Sequence, residues 1–170
     1  MHARNLLLLC AALALGACQT TYQVERGRSY AEDKRVVWDH LLAFLERNEI
    51  AVTSSDFEQG SLAAERRHFQ DQGWAECERR RVYEGSGSGN SRQSWALRVD
   101  RDLVLEAMVA AAANATQVTV DAHFTEKQDD PNSFNFFTQT CRSTGVLEKA
   151  LLDALGRPVA ASPPQDTRTE

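Results

Sequence analysis

Residues 103–124 read LVLEAMVAAAANATQVTVDAHF, and this stretch decides the fold. Apolar side chains recur at every second position on both sides of residues 112–115, which is the pattern of two half-buried β-strands. Asn114 suits a tight turn between them. The alanine run over 107–115 also resembles a helix, but the flanking period of two and the interruption at Asn114 favour a β-hairpin.

Further strands are predicted upstream of this hairpin. Apolar residues alternate again over 95–99, and a strand over 74–83 would carry Cys77. The glycine-rich stretch 84–91 predicts a flexible loop, because it has neither the spacing nor the lysine of a phosphate-binding loop. Residues 50–53 and 61–66 predict a pair of strands joined by a turn at 56–60 that ends in Gly60.

Two amphipathic helices flank the strands. Residues 30–48 carry an apolar stripe at helical spacing, preceded by a candidate capping box at Ser29 and Glu32. A second stripe over 146–155 follows Ser143 and Thr144, either of which could cap it, and Gly156 and Pro158 end it.

This order predicts an α+β domain: an antiparallel sheet of about five strands, covered on one face by the N-terminal and C-terminal helices. We expect a single domain over 29–157 and a disordered tail over 158–170, which is polar and contains two further prolines. Residues 18–28 predict a tether with a short strand near 21–24, and 126–132 predict a polar loop.

The N-terminus carries a targeting signal. One arginine, Arg4, precedes an apolar run over 6–15 that is too short to span a bilayer. Leu15-Gly16-Ala17-Cys18 then resembles the lipobox of bacterial lipoproteins; an ordinary secretion signal with a chance cysteine is the alternative. The resemblance implies removal of residues 1–17 and a lipid anchor of two or three acyl chains on Cys18. Because Gln19 replaces the aspartate that often retains lipoproteins in the inner membrane, it also implies the outer membrane, facing the periplasm.

The chain contains four cysteines. Cys10 lies in the signal and Cys18 would carry lipid, which leaves Cys77 and Cys141 in an oxidising compartment. A Cys77–Cys141 disulfide is therefore predicted, with a reactive thiol pair as the alternative. Two cysteines cannot form a closed zinc site of thiolates.

The charge and the polar motifs argue against two classes of function, nucleic-acid binding and catalysis. A net charge of −5 argues against nucleic acid as a partner. His40, His68 and His123 are not spaced as metal ligands, and neither Asp100 with Asp102 nor Asp129 with Asp130 has the pattern of a calcium loop. Solvated turns are the simpler interpretation of both acidic pairs. We therefore expect no enzyme activity, no cofactor and no metal.

One surface candidate stands out. Phe134, Phe136 and Phe137 lie close together before Cys141, and they could form an interaction surface or pack in the core beside the disulfide. The basic run at 79–81 could meet an acidic partner or a glycan carboxylate, or defend an edge strand by its charge.

The helix over 36–48, the strand over 50–52, the turn ending in Gly60 and the strand over 61–65 resemble a unit found in the lipoprotein C component of the outer-membrane β-barrel assembly machine. That family's domains have a helix-grip, α+β shape. The resemblance covers residues 36–65 only and transfers no site residues. Together with the anchor, it implies a non-enzymatic structural or protein-interaction role in the outer envelope. The alternatives are a lipid- or glycan-binding module and, third, an envelope enzyme acting on peptidoglycan.

Overall fold

The structure, a computed structural model, describes residues 22–70, 72–78, 98–129 and 136–159. Seven strands and two helices lie in these ranges. In chain order they are β1 (Gly27–Tyr30), α1 (Lys34–Arg47), β2 (Ala51–Asp56), β3 (Ser61–Arg66), β4 (Ala75–Glu76), β5 (Arg98–Ala112), β6 (Ala115–Asp129), β7 (Phe136–Ser143) and α2 (Val146–Ala154). The predicted α+β class is confirmed, with more strands than the sequence suggested.

The central hairpin is longer than predicted. β5 and β6 pair along 15 residues each, from Arg98 opposite Asp129 to Ala112 opposite Ala115. The turn at 113–114 is where the sequence places it, and the helical interpretation of the alanines is excluded. The turn expected at Asp100 and Asp102 is wrong, because both residues lie within β5. β6 also continues to Asp129, through residues predicted to be loop.

All strand pairs are antiparallel, in the order β2-β3-β5-β6-β7-β4. β1 and β7 share one edge of β6, where β1 pairs with residues 116–119 and β7 with residues 124–129. β1 lies at 27–30 rather than near 21–24, so the sheet begins within the stretch assigned to the tether. β7 was missed because its outward residues Thr138, Thr140 and Arg142 are polar while Gln139 interrupts the inward apolar series.

The two helices bury the stripes that predicted them, with shifted ends. α1 begins four residues later than predicted because Tyr30 belongs to β1, and its cap is Asp33 rather than Ser29. α2 is capped by Gly145 at φ +81° rather than by Ser143 or Thr144. The Ser143 hydroxyl instead accepts a hydrogen bond from the Gly145 amide and donates one to Glu148. The predicted stripe of α2 was too wide, since Val146 is exposed.

The β2–β3 turn depends on one glycine. Gly60 has φ +74°, and a Cβ there would lie 2.0 Å from the carbonyl oxygen of Val109. The same close approach lets the Val109 amide donate a 2.8 Å hydrogen bond to the Gly60 carbonyl. Glycine at this position therefore lets the β2–β3 pair dock against β5.

The core lies between the helices and one face of the sheet. Most of its buried members are contributed by both helices and by β1, β3, β5 and β6, and β4 and β7 add Ala75 and Cys141. Tyr30 is fully buried and donates a 2.6 Å hydrogen bond to the carbonyl of Leu152, which joins β1 to α2. Burial raises the pKa of the Tyr30 phenol to about 12, so it stays a donor at physiological pH.

The predicted disulfide is confirmed. Cys77 and Cys141 are joined at an S–S distance of 2.02 Å. The bond connects the segment after the edge strand β4 to β7, so it fastens the last strand pair of the sheet. Within the described part of the predicted strand over 74–83, residues 75–76 form β4, and residues 79–83 lie outside the described ranges.

Replacing both cysteines, as Cys77→Ser with Cys141→Ser, should destabilise the domain. In the chain-entropy model, a disulfide that closes a loop of this length stabilises the folded state by roughly 4 kcal/mol. Its loss corresponds to a fall in Tm of about 10 °C or more. Calorimetry of the oxidised wild type and the double variant measures this difference. An unchanged Tm, with free thiols titrated in the wild type, would contradict it.

Candidate functional site

The sheet has two unlike faces. Leu103, Leu105 and Val109 of β5 are fully buried on the helix side, whereas Val104 and Met108 between them are 46% and 48% exposed. We call this second face the outer face. Along its middle lie Ala63, Val104, Glu106, Met108, Thr119 and Asp121. In the described part of the chain this face is open to solvent along its centre.

A shallow hollow of about 460 Å³ lies on the outer face. Met108 and Ala63 are among its lining residues, and so are Arg26 and Asp121, which approach each other to 3.5 Å. A flat sheet surface with small and aliphatic side chains can accept apolar side chains from outside.

An acidic pair faces this hollow. Glu106 and Asp121 stand directly opposite each other in the β5–β6 register, and like charges in that arrangement destabilise a sheet. Asp121 is compensated by Arg26 at 3.5 Å and faces His123 at 3.3 Å. Glu106 has no ion-pair partner among the described residues, so its carboxylate is available to a cation from outside.

The inner face ends in a polar cluster beyond the apolar core. The Glu126 side chain is only 4% exposed and accepts hydrogen bonds from Arg101 at 2.8 Å, Gln128 at 2.6 Å and Gln139 at 3.0 Å. Gln139 also donates to the Glu78 carbonyl at 2.9 Å. The Glu126 cluster thereby joins β5, β6 and β7 to the segment that follows β4.

The protonation of Glu126 follows from these contacts. Burial by itself would raise the pKa of Glu126, but the hydrogen bonds from Gln128, Arg101 and Gln139 outweigh it and hold the pKa below its ordinary value. A carboxyl whose pKa is lowered by folding stabilises the protein above its unfolded pKa, and that contribution disappears as the pH falls through the folded pKa.

Glu126→Gln should lower the free energy of unfolding at pH 7 by roughly 2 kcal/mol, the scale of a lost charged hydrogen bond. The difference from wild type should shrink as the pH falls below the ordinary glutamate pKa of about 4.3, and it should disappear as the pH falls through the lowered pKa of folded Glu126. Urea unfolding at several pH values measures both. Glu46→Gln is the matched control, since Glu46 is exposed on α1 and outside the cluster. A pH-independent difference would contradict the assigned charge of Glu126.

The disulfide lies against this cluster. Ligand atoms of Cys77, Cys141 and Glu126 lie within 4.8 Å of one another, and this is the one group of three potential metal ligands in the described ranges. The two sulfurs are bonded to each other and Glu126 is held by Arg101, so in the oxidised protein these atoms act structurally.

The histidines do not converge on a catalytic or metal site. His40 Nδ1 lies 2.9 Å from the Leu155 carbonyl, and His123 is exposed on the outer face beside Asp121. His68 has φ +53°, and its backbone amide donates to Asp102 while its ring faces Asp100 at 3.6 Å. Among the described residues, none of the three belongs to a cluster of potential metal ligands.

The structure describes only some of the other predicted site residues. Phe137 is half-buried in β7, in phase with Cys141 on the helix-facing side, while the backbone of Phe136 pairs with Asp129. Phe134, Cys18, Asp130 and the basic run at 79–81 lie outside the described residues. The aromatic interaction surface therefore stays a prediction.

Sequence reasoning missed both the Glu126 cluster and the hollow on the outer face. A signal for the first was present, because Arg101 and Glu126 are in phase with the buried series 103–109 and 118–124. Charged residues in phase with a buried series indicate an internal ion pair. The hollow had no such signal, since it depends on the register between β3, β5 and β6.

The chain has no match among protein-family models, curated proteins or solved structures. Within the described residues, no helix is long and apolar enough to cross a membrane. The fold and the sites therefore define the class of this protein as a disulfide-linked α+β domain with an open sheet face.

Proposed function

We propose that this chain is a lipid-anchored protein of the bacterial outer membrane that faces the periplasm and binds another envelope protein without catalysing a reaction. The lipobox-like sequence ending at Cys18 supports the anchor and the location. The observation that carries the binding role is the outer face, where Met108 and Val104 are about half exposed on β5, at the centre of the sheet.

The charges of the outer face indicate the chemistry of the partner. Glu106 and Asp121 oppose each other beside the apolar hollow, and Arg26 compensates only Asp121. A partner segment with an apolar side chain over Met108 and Ala63, and a lysine or arginine at Glu106, would relieve the repulsion and bury the apolar surface. A basic and apolar segment fits better than nucleic acid, whose phosphates these carboxylates would repel.

A non-enzymatic role is supported by the interactions of the polar groups. Glu126 is saturated by three hydrogen bonds from its neighbours, and His40 contacts a backbone carbonyl. Groups engaged in this way hold strands and helices together, whereas a catalytic site needs several polar groups converging on one substrate position.

Photocrosslinking in cells tests the proposed surface. A photoreactive amino acid at Ser61, beside Met108 in the β3–β5 register, should capture one envelope protein, identified by mass spectrometry. Met108→Asp should abolish the capture, because it places a charge where the partner's apolar side chain would lie. Val146→Asp is the control, since Val146 is 49% exposed on α2 and similar to Met108 in exposure.

Capture from Ser61 that is unaffected by Met108→Asp would contradict the proposal. So would equally efficient capture of the same protein by a photoreactive group at Glu46, on the exposed side of α1. Met108→Asp and Val146→Asp both change surface residues, and thermal unfolding checks that they leave the fold intact.

A further inference from the structure

The segment before β1 is fastened to the domain. The guanidinium of Arg142 lies 5.3 Å from the centre of the Tyr22 ring, and the Arg26 carbonyl accepts a 2.8 Å hydrogen bond from the Val120 amide. Between them, Val24 contacts Gly145: a Cβ added at Gly145 would lie 3.4 Å from the Val24 Cα. The chain is therefore held against the β7 end of the sheet from Tyr22 onward.

This attachment shortens the free tether. Four residue steps separate Tyr22 from Cys18. A fully extended chain advances at most about 3.6 Å per residue, so the two Cα atoms can be no more than roughly 14 Å apart. If Cys18 carries the lipid anchor of the proposed function, on which this inference rests, the bilayer surface must come equally close to Tyr22.

From this we infer that the domain stands edge-on at the membrane, with the β4–β7 edge of its sheet against the lipid headgroups. Tyr22 and the Arg142–Glu76 ion pair, whose atoms approach to 2.6 Å, form the contacting surface. A tyrosine ring suits this position, because its apolar body and polar hydroxyl favour the membrane–water interface.

The charge of this edge specifies the kind of lipid contact. Arg142 is paired with Glu76, Arg101 is paired with Glu126, and Glu78 adds a further acid nearby. The described residues of this edge offer no unpaired positive charge to anionic lipids, so it is the short tether that holds the edge at the membrane. Zwitterionic headgroups should serve as well as anionic ones, and added salt should not release the contact.

The strand order then fixes what lies far from the membrane. β4 and β2 are the two ends of the order β2-β3-β5-β6-β7-β4, five strand spacings apart. At about 4.8 Å per spacing, β2 lies roughly 24 Å above β4 for a flat sheet. The outer face would then be perpendicular to the membrane plane, and a partner in the periplasm could approach it parallel to the membrane.

Paramagnetic broadening tests this orientation. The intact lipidated protein, purified from cell membranes, would be placed in phosphatidylethanolamine nanodiscs that contain a gadolinium-chelating lipid, and amide peak intensities would be recorded by NMR. Amides of Tyr22, Glu76 and Arg142 should lose most of their intensity, and amides of β2 should keep theirs. The same profile is expected with phosphatidylglycerol added and at raised salt.

A lengthened tether is the matched control. Ten glycine and serine residues inserted between Gln19 and Thr20 keep the anchor and the domain but remove the length restriction, so the gradient from β4 to β2 should flatten. A flat profile in the original protein, or strongest broadening in β2, would overturn the orientation and leave the anchor standing. A mass spectrum without acyl chains on Cys18 would instead remove the anchor, and with it both proposals.

Discussion

The pairing of β5 with β6 is the constraint on which the rest of the structure depends. Its 15-residue register aligns the buried series of both strands on one face, and the other strands extend the sheet outward from its two edges. A slip of one residue would turn Leu103, Leu105 and Val109 to solvent. Both helices pack on the apolar part of this face.

The hairpin extends past the core, and its further length carries the polar chemistry of the domain. Arg101 and Glu126 lie opposite each other beyond the last buried apolar pair, Leu103 and Phe124. Gln139 and the disulfide then join β7 and the segment after β4 to this extension. The edge that we place at the membrane is therefore held by the disulfide, by the hydrogen bonds of the Glu126 cluster and by the Arg142–Glu76 ion pair, and Trp74 and Ala75 are buried beside it.

Much of this architecture could be predicted from the sequence. The hairpin, both helices, the β2–β3 pair and the disulfide follow from periodicity, turn residues and the number of cysteines. β1 and β7 did not follow, because short or polar-faced strands gain their stability from the neighbour that they pair with. The turn expected at Asp100 and Asp102 failed for a related reason: their carboxylates contact His68, while the backbone continues the ladder with β6.

Native-state hydrogen exchange tests the central role of the β5–β6 pair most directly. Amides of residues 103–109 and 118–124 should exchange most slowly, with opening free energies equal to that of global unfolding, while β2 and β4 open at lower cost. Slow exchange confined to α1 or β7, with the hairpin amides exchanging earlier, would show that the domain is organised around another element.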